Sequence, residues 1–434
     1  MSPMRRPQRV LGVDNPLRDA GFRRLWSAHL VSLLGDQLFP IALVSLAIAH
    51  GGSIAQTISV VFAARFSALA LLIIFGGVVA DRVDRVRGMI ALNVFRGATV
   101  GGMVLMGADT PLAVLAALTF VLGAGEAVFT PLYESVLPEM VPDRMLQQAN
   151  SLSSLIKNLA NVVGPGVAGV IVAAVGARTA LFLDVISFAV AAVAMLGLRR
   201  ARPPQVVTTQ RVSVWRSALA GVQVVLRLRW LAALEGMAIV HTLLAVGPWY
   251  VLLPTIAVER YGSVQSYGLF LTAFGVGGVL GALAGGRIRS QVRGRIALAG
   301  IGTFGFCCLV LAWQVPMAVV VAVFVVGGFG TQMFDVVKTT AIQQTVERQF
   351  LGRVFSLDFF AAMVMMPFGQ VLAGFLVGSL SMESIMATAG VIVLVTTFLL
   401  LFIPQIAGFG GRGSPPDQAA ASDAPADEPK TVAS

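Results

Sequence analysis

The sequence predicts an all-α membrane protein with twelve transmembrane helices in two pseudo-symmetric six-helix bundles. Three observations carry that prediction. Of the 434 residues, 57% are hydrophobic and only 12% charged, with a mean hydropathy of +0.85; soluble domains devote about a quarter of their residues to charge. Apolar runs near the roughly 20 residues needed to cross a bilayer fall at 25–49, 54–79, 88–107, 112–132, 149–175 and 180–198. Six more follow at 231–257, 266–286, 295–313, 316–337, 353–378 and 384–404. Finally, adding 205 to a position in the first half lands on a similar residue at several landmarks. Gly76 maps to Gly281, Arg82 to Arg287, Gly123 and Gly125 to Gly328 and Gly330, Ser151-Leu152 to Ser356-Leu357, and Gly164 and Gly169 to Gly369 and Gly374. Such a repeat is the mark of two duplicated halves.

Taken in order, 1–24 is a basic segment ending in Phe22-Arg23-Arg24-Leu25-Trp26, where arginines followed by Trp mark entry into the membrane interface. Residues 25–198 form the first bundle. The linker 199–230 opens on Pro203-Pro204. It resumes as an amphipathic helix from Val214, with Trp215, Leu219, Val222, Leu226 and Trp230 on the apolar side. Residues 231–404 form the second bundle. The tail 405–434 is rich in Gly, Pro, Ala and Asp and is expected to be disordered.

The net charge of +10 does not call for nucleic acid. Of the 31 Lys and Arg, only Arg178 and Arg260 fall in loops on one side of the predicted membrane, and Arg65, Arg96 and Lys157 fall inside spans. The remainder lie on the other side, which makes that side cytoplasmic, both termini included. Cys307 and Cys308 are adjacent and have no ligand spacing, so they read as packing residues. No cofactor or metal site is expected, and no cleavable signal peptide.

The densest charge lies in Gly76-Gly77-Val78-Val79-Ala80-Asp81-Arg82-Val83-Asp84-Arg85-Val86-Arg87-Gly88, a tight turn between spans two and three. Gly77, Asp81, Arg82, Arg85 and Arg87 resemble the corresponding loop of the major facilitator superfamily, with Asp84 where its second glycine usually stands. The second copy, from Gly285 to Gly294, has Gly286 in place of Asp81. The stretch from Pro131 to Leu152, with Leu137-Pro138-Glu139-Met140-Val141-Pro142 and Leu146-Gln147-Gln148-Ala149-Asn150, is similar to the enterobactin- and macrolide-exporter branch. In span five, Ala160 to Gly169 resembles the superfamily's antiporter motif around Gly164, Pro165 and Gly169, with Ala160 and Ala168 in place of two glycines. The resemblance implies the major facilitator fold, a substrate site between the halves, and a gating role for the charged loop. It favours export by proton antiport over import. The Gly-Pro step also reads simply as a packing kink, since small residues let helices touch.

Ionisable residues inside spans are functional hypotheses by default. Asp36 lies half-way through span one, Arg65 in span two and Glu126 in span four. Asp36 is the foremost candidate for a protonatable switch, because its short side chain does not reach water; Arg65 is its expected counter-ion. Arg96 and Lys157 lie two turns from the cytoplasmic face and read as snorkelling structural cations. His241 stands at the repeat equivalent of Asp36 and reads as a hydrogen-bonded residue more readily than a proton carrier. Asp335 and Asp358 are expected to be solvated or to pair with Lys338 and Arg353.

The reading is therefore a proton-coupled exporter of an amphiphilic small molecule (drug, macrolide-like compound or siderophore). Its partners would be that substrate, protons and the lipid bilayer, and it would act as a monomer in a bacterial cytoplasmic membrane. An importer or facilitator on the same fold is the alternative, and a non-transporting receptor a remote one. The absence of a nucleotide-binding loop or nucleophile arrangement argues against an enzyme.

Overall fold

The computed structural model describes residues 15–107, 110–142, 145–198, 222–288, 292–347 and 350–407, and the side chains of all of these except 73–82, 147, 352 and 404. The first residues of the basic segment, most of the linker with Trp215 and Leu219, and nearly all of the tail lie outside the described residues. No strand occurs among those described. Among the described residues, eleven helices are long and apolar enough to cross a membrane. One of them, Gln148–Leu196, is 49 residues long and joins two spans at Gly176, whose φ of +80° breaks the helix. That gives the twelve spans expected.

Local chemistry sets the ends. Asp19 accepts a hydrogen bond from the Phe22 amide at 2.9 Å and starts span one at Ala20, a side-chain cap of the kind that satisfies an orphan donor. Ser263 and Ser381 do the same for spans eight and twelve. Gly262, with φ +74°, closes the helix before span eight in the left-handed conformation glycine tolerates. Arg178 donates to the Val104 carbonyl at 3.0 Å, and Arg260 to those of Leu311 and Trp313 at 2.8 Å each. The two arginines expected on the sparsely charged side thus cover carbonyls at helix C-termini, where a cation is favoured. We call that side the far face and the opposite one, carrying the turn at Val83 and Asp84, the basic face.

The two halves pack alike. Span two lies along span four and span eight along span ten, each through glycines: a Cβ on Gly123 would meet the Arg65 carbonyl, and one on Gly281 the Phe329 carbonyl. Span three lies along span six through Gly97 and Phe188, as span nine lies along span twelve through Gly305 and Leu394. Between the halves, the close seams lie in the half nearer the far face. Span five meets span eight where Gly268 faces the Pro165 carbonyl and Gly169 faces Gln265; span two meets span eleven where Ser59 faces Gly374. Toward the basic face, Asn150, Ser151, Ser154, Leu155 and Asn158 of span five line an open recess of about 780 Å³.

Three expectations are refined. The first span is two helices, Ala20–Asp36 and Leu38–Ala49, divided at Gln37. Its repeat equivalent is also irregular, with a π-helical turn, Thr242–Val246, starting directly after His241. In the segment 222–227, which is helical, Leu226 is exposed, and it is Val225 that packs with Trp230. Cys307 and Cys308 are free and fully buried, as packing residues are.

Candidate functional site

Five charged side chains converge in the middle of the first bundle. Asp36 ends the first helix of span one, beside the break at Gln37. Arg96 of span three, only 2% exposed, donates to Asp36 Oδ1 at 2.6 Å. Arg65 of span two donates twice to Glu126 Oε2 of span four, from Nη2 at 2.8 Å and Nε at 3.2 Å. Asp184 of span six completes the group. It is fully buried, takes a hydrogen bond from the Ser187 hydroxyl at 3.2 Å, and leaves its second oxygen without a partner.

Small residues make this convergence possible. A Cβ on Gly35 would come within 2.6 Å of Asp184 Oδ1, so only glycine lets Asp184 lie against the backbone next to Asp36. In span four, a Cβ on Gly125 would lie 2.9 Å from Arg96 Cγ and one on Gly123 3.2 Å from Arg65 Cγ. The two glycines just before Glu126 therefore make room for the stems of the two arginines. Aromatic faces add to this: Arg96 lies 4.4 Å from the Phe188 ring centroid and Arg65 5.6 Å from that of Phe39, distances at which a cation is attracted to a ring.

The expected pairing of Asp36 with Arg65 is corrected. Arg96, expected to snorkel, is the partner of Asp36, while Arg65 holds Glu126. Lys157 is closer to expectation, 3.6 Å from Glu134 and 41% exposed. The sequence reading does not single out Asp184, although an acid inside the apolar run 180–198 obeys the same rule that marks Asp36. Three carboxylates against two guanidiniums leave one negative charge uncompensated. Guanidinium does not release its proton in proteins, so an exchangeable proton here must sit on a carboxylate.

The antiporter-like residues reach this site. Gln37 donates from Nε2 to Asn161 Oδ1 at 3.1 Å, and a Cβ on Gly164 would strike the Gln37 side chain. The backbone stays helical through Pro165; the helix break in this segment is at Gly176. Of the charged loop, Gly77, Asp81 and Arg82 lie in the last turns of span two, which runs to Arg82; their side chains are outside the described residues. The turn itself is shorter than expected. Asp84 caps span three by accepting from the Arg87 amide at 3.0 Å, and Arg87 also pairs with it at 3.9 Å. Arg85 pairs with Glu139 and donates to the Ser135 carbonyl, tying span three to the end of span four. In the second bundle His241 hydrogen-bonds Thr396 at 2.7 Å, as a satisfied span histidine does.

The profile of the transmembrane secretion effectors, a family of the major facilitator superfamily, matches residues 12–408. The chain belongs to this family. It is thus a membrane transporter for a small molecule and not an enzyme. Among its relatives, the multidrug efflux pump Tap of Mycobacterium tuberculosis is 27% identical over 87% of this chain and 92% of that one. The MFS-type transporter y4rN of Sinorhizobium fredii is 28% identical over 88% and 95%. Macrolide efflux protein A of Streptococcus pyogenes is 22% identical over 89% and 96%. The fold is that of solved transporters of this architecture. A bacterial homologue of the iron transporter ferroportin, in its inward-facing state, superposes with a TM-score of 0.70 at 16% identity over 89% of this chain and 98% of that one. The nucleoside transporter NupG superposes with a TM-score of 0.70 at 11% identity over 88% and 98%.

Proposed function

We propose that this transporter exports an amphiphilic small molecule in exchange for protons, with Asp36 as the main proton carrier. The observation that carries the reading is the excess of one acid over the two arginines in the Asp36–Arg96–Asp184 and Arg65–Glu126 group. A proton entering this group neutralises it, and proton loss leaves a buried negative charge that favours a cation. Burial and a neighbouring cation act on a carboxylate's proton affinity in opposite directions, so a change in the packing of Gln37 against Asn161 would move the balance. The efflux names of the relatives support the export direction and a drug-like or macrolide-like cargo. The excess of Lys and Arg on the basic face supports a bacterial cytoplasmic membrane with that face and both termini inside. Residues 25–198 and 231–404 then act as two rocking halves of a monomer, joined by the linker 199–230. The close seams between the halves near the far face fit a state closed there and open to the cytoplasm. Asp81 and Arg82 would close that opening, with Arg85 tying span three to span four.

Inside-out vesicles test this with ethidium as cargo. The parent is expected to couple ethidium movement to proton release. Asp36→Asn is expected to abolish gradient-driven transport while retaining ethidium binding. If Asp36→Asn matches the parent and Glu126→Gln does not, the proton role belongs to Glu126. An importer would move ethidium in the opposite sense in the same assay.

A further inference from the structure

The second bundle holds a buried ionic group that the reading above leaves unused. Glu235 of span seven, Lys338 of span ten and Asp358 of span eleven meet in the half nearer the basic face. Lys338 Nζ lies 3.5 Å from Glu235 Oε1 and pairs with Asp358. Glu235 is 6% exposed, neither of its carboxylate oxygens receives a hydrogen bond, and its side chain stands beside that of Asp358. Asp335, one turn before Lys338 on the same helix, adds a third carboxylate within electrostatic reach. Span twelve also packs on this part of span seven, but its one charge, Glu383, sits at the far face bound to Arg260. The short segment Pro404–Ala407 contributes none.

The repeat shows that the group is no requirement of the architecture. Subtracting 205 from Lys338 and Asp358 gives Tyr133 and Ser153, whose hydroxyls hydrogen-bond at 3.1 Å between the corresponding spans four and five. The same contact is neutral in one half and ionic in the other. Conversely, the equivalents of Arg65, Arg96, Glu126 and Asp184 are Phe270, Ile301, Thr331 and Ala389. Each half therefore has its own charged group, at a different depth. In the second, two carboxylates share a single ammonium, and a buried charge left without a partner is costly. Two carboxyl groups side by side relieve that cost when one proton lies between them, the protonated one donating and the other accepting.

We propose that Glu235 and Asp358 share one exchangeable proton beside Lys338, which makes the second bundle a proton-binding site in its own right. Its part in transport rests on the antiport reading above; its occupancy by a proton does not. With a proton carried in each half, exchange of two protons inward for one monovalent cation outward moves one net positive charge inward per cycle.

The test begins with the full chain in lipid bilayers and no substrate. Infrared difference spectra between alkaline and acidic buffer are expected to contain a protonated-carboxyl band that Glu235→Gln removes and that Asp358→Asn, made independently, also removes. A band unchanged from the parent in both variants overturns the proposal. Proteoliposomes with a potassium–valinomycin voltage then report on transport. Parent ethidium exchange is expected to respond to voltage, whereas in Glu235→Gln the voltage response is lost and the response to a pH gradient kept. If the band is lost in the variants but the parent moves no protons with ethidium, the proton site stands and the antiport reading falls.

Discussion

At the scale of single residues, Arg96 is the part on which the first bundle's charge depends. It is nearly inaccessible, it holds Asp36, and it lies over the Phe188 ring. Removing one partner of a buried pair costs about 3–5 kcal/mol, because the other charge is left stranded. Arg96→Gln is therefore expected to lower the thermal unfolding midpoint in detergent markedly. The double variant Arg96→Gln with Asp36→Asn is expected to regain most of the loss without regaining transport. A double variant no more stable than Arg96→Gln would show that Arg96 acts by packing alone. Much of this site is legible in the sequence, because an acid in an apolar run stands out whatever its neighbours. The depth of Asp36 follows from its place in span one. Its partner does not, since Arg65 and Arg96 are both within reach along the membrane normal. The choice between them depends on how spans two and three are rotated, which Gly123 and Gly125 help to set through contacts distant in sequence.

At the scale of elements, the turn after span two shows how a departure from a family pattern is absorbed. Asp84 replaces a glycine and becomes the N-cap of span three. Losing such a cap costs about 0.5–2 kcal/mol, so Asp84→Ala is expected to destabilise the chain by that amount, with Asp84→Asn retaining most of the cap. Equal losses in the two variants, measured by thermal unfolding, would assign the effect to charge and not to the cap. The break in span one is of another kind. Hydropathy over 25–49 is continuous and conceals it; its mark in the sequence is Pro40, which has no amide to bond the Asp36 carbonyl four residues before it and whose ring crowds that carbonyl. The π-helical turn after His241 has a similar mark: Pro248, just beyond Thr242–Val246, has no amide to donate to the Leu244 carbonyl within the turn.

At the scale of the molecule, the twelve-span architecture is legible because the bilayer imposes one length on every crossing and the duplication imposes a repeat. What the repeat does not convey is how the halves meet. Gly268 faces the Pro165 carbonyl across the seam between spans five and eight. Overpacking such a contact costs typically 1–3 kcal/mol, enough to shift a two-state balance about fivefold or more. Gly268→Val is expected to part the far-face seam and expose Ser59, which is 4% exposed against span eleven. In a Ser59→Cys background, labelling by a membrane-impermeant maleimide from the far face should rise with Gly268→Val. Unchanged labelling would mean that the two seams open independently.

The glycine seam also has a mechanical meaning. Where Gly268 meets Pro165 and Gly169, main chain rests on main chain with no side chain between. Such a surface has no rotamers to exchange when one half tilts on the other, so it behaves as a bearing and not as a latch. Resistance to tilting would then come from the ionic and hydrogen-bonded groups elsewhere, and adding a single methyl at the bearing would introduce friction between the duplicated halves.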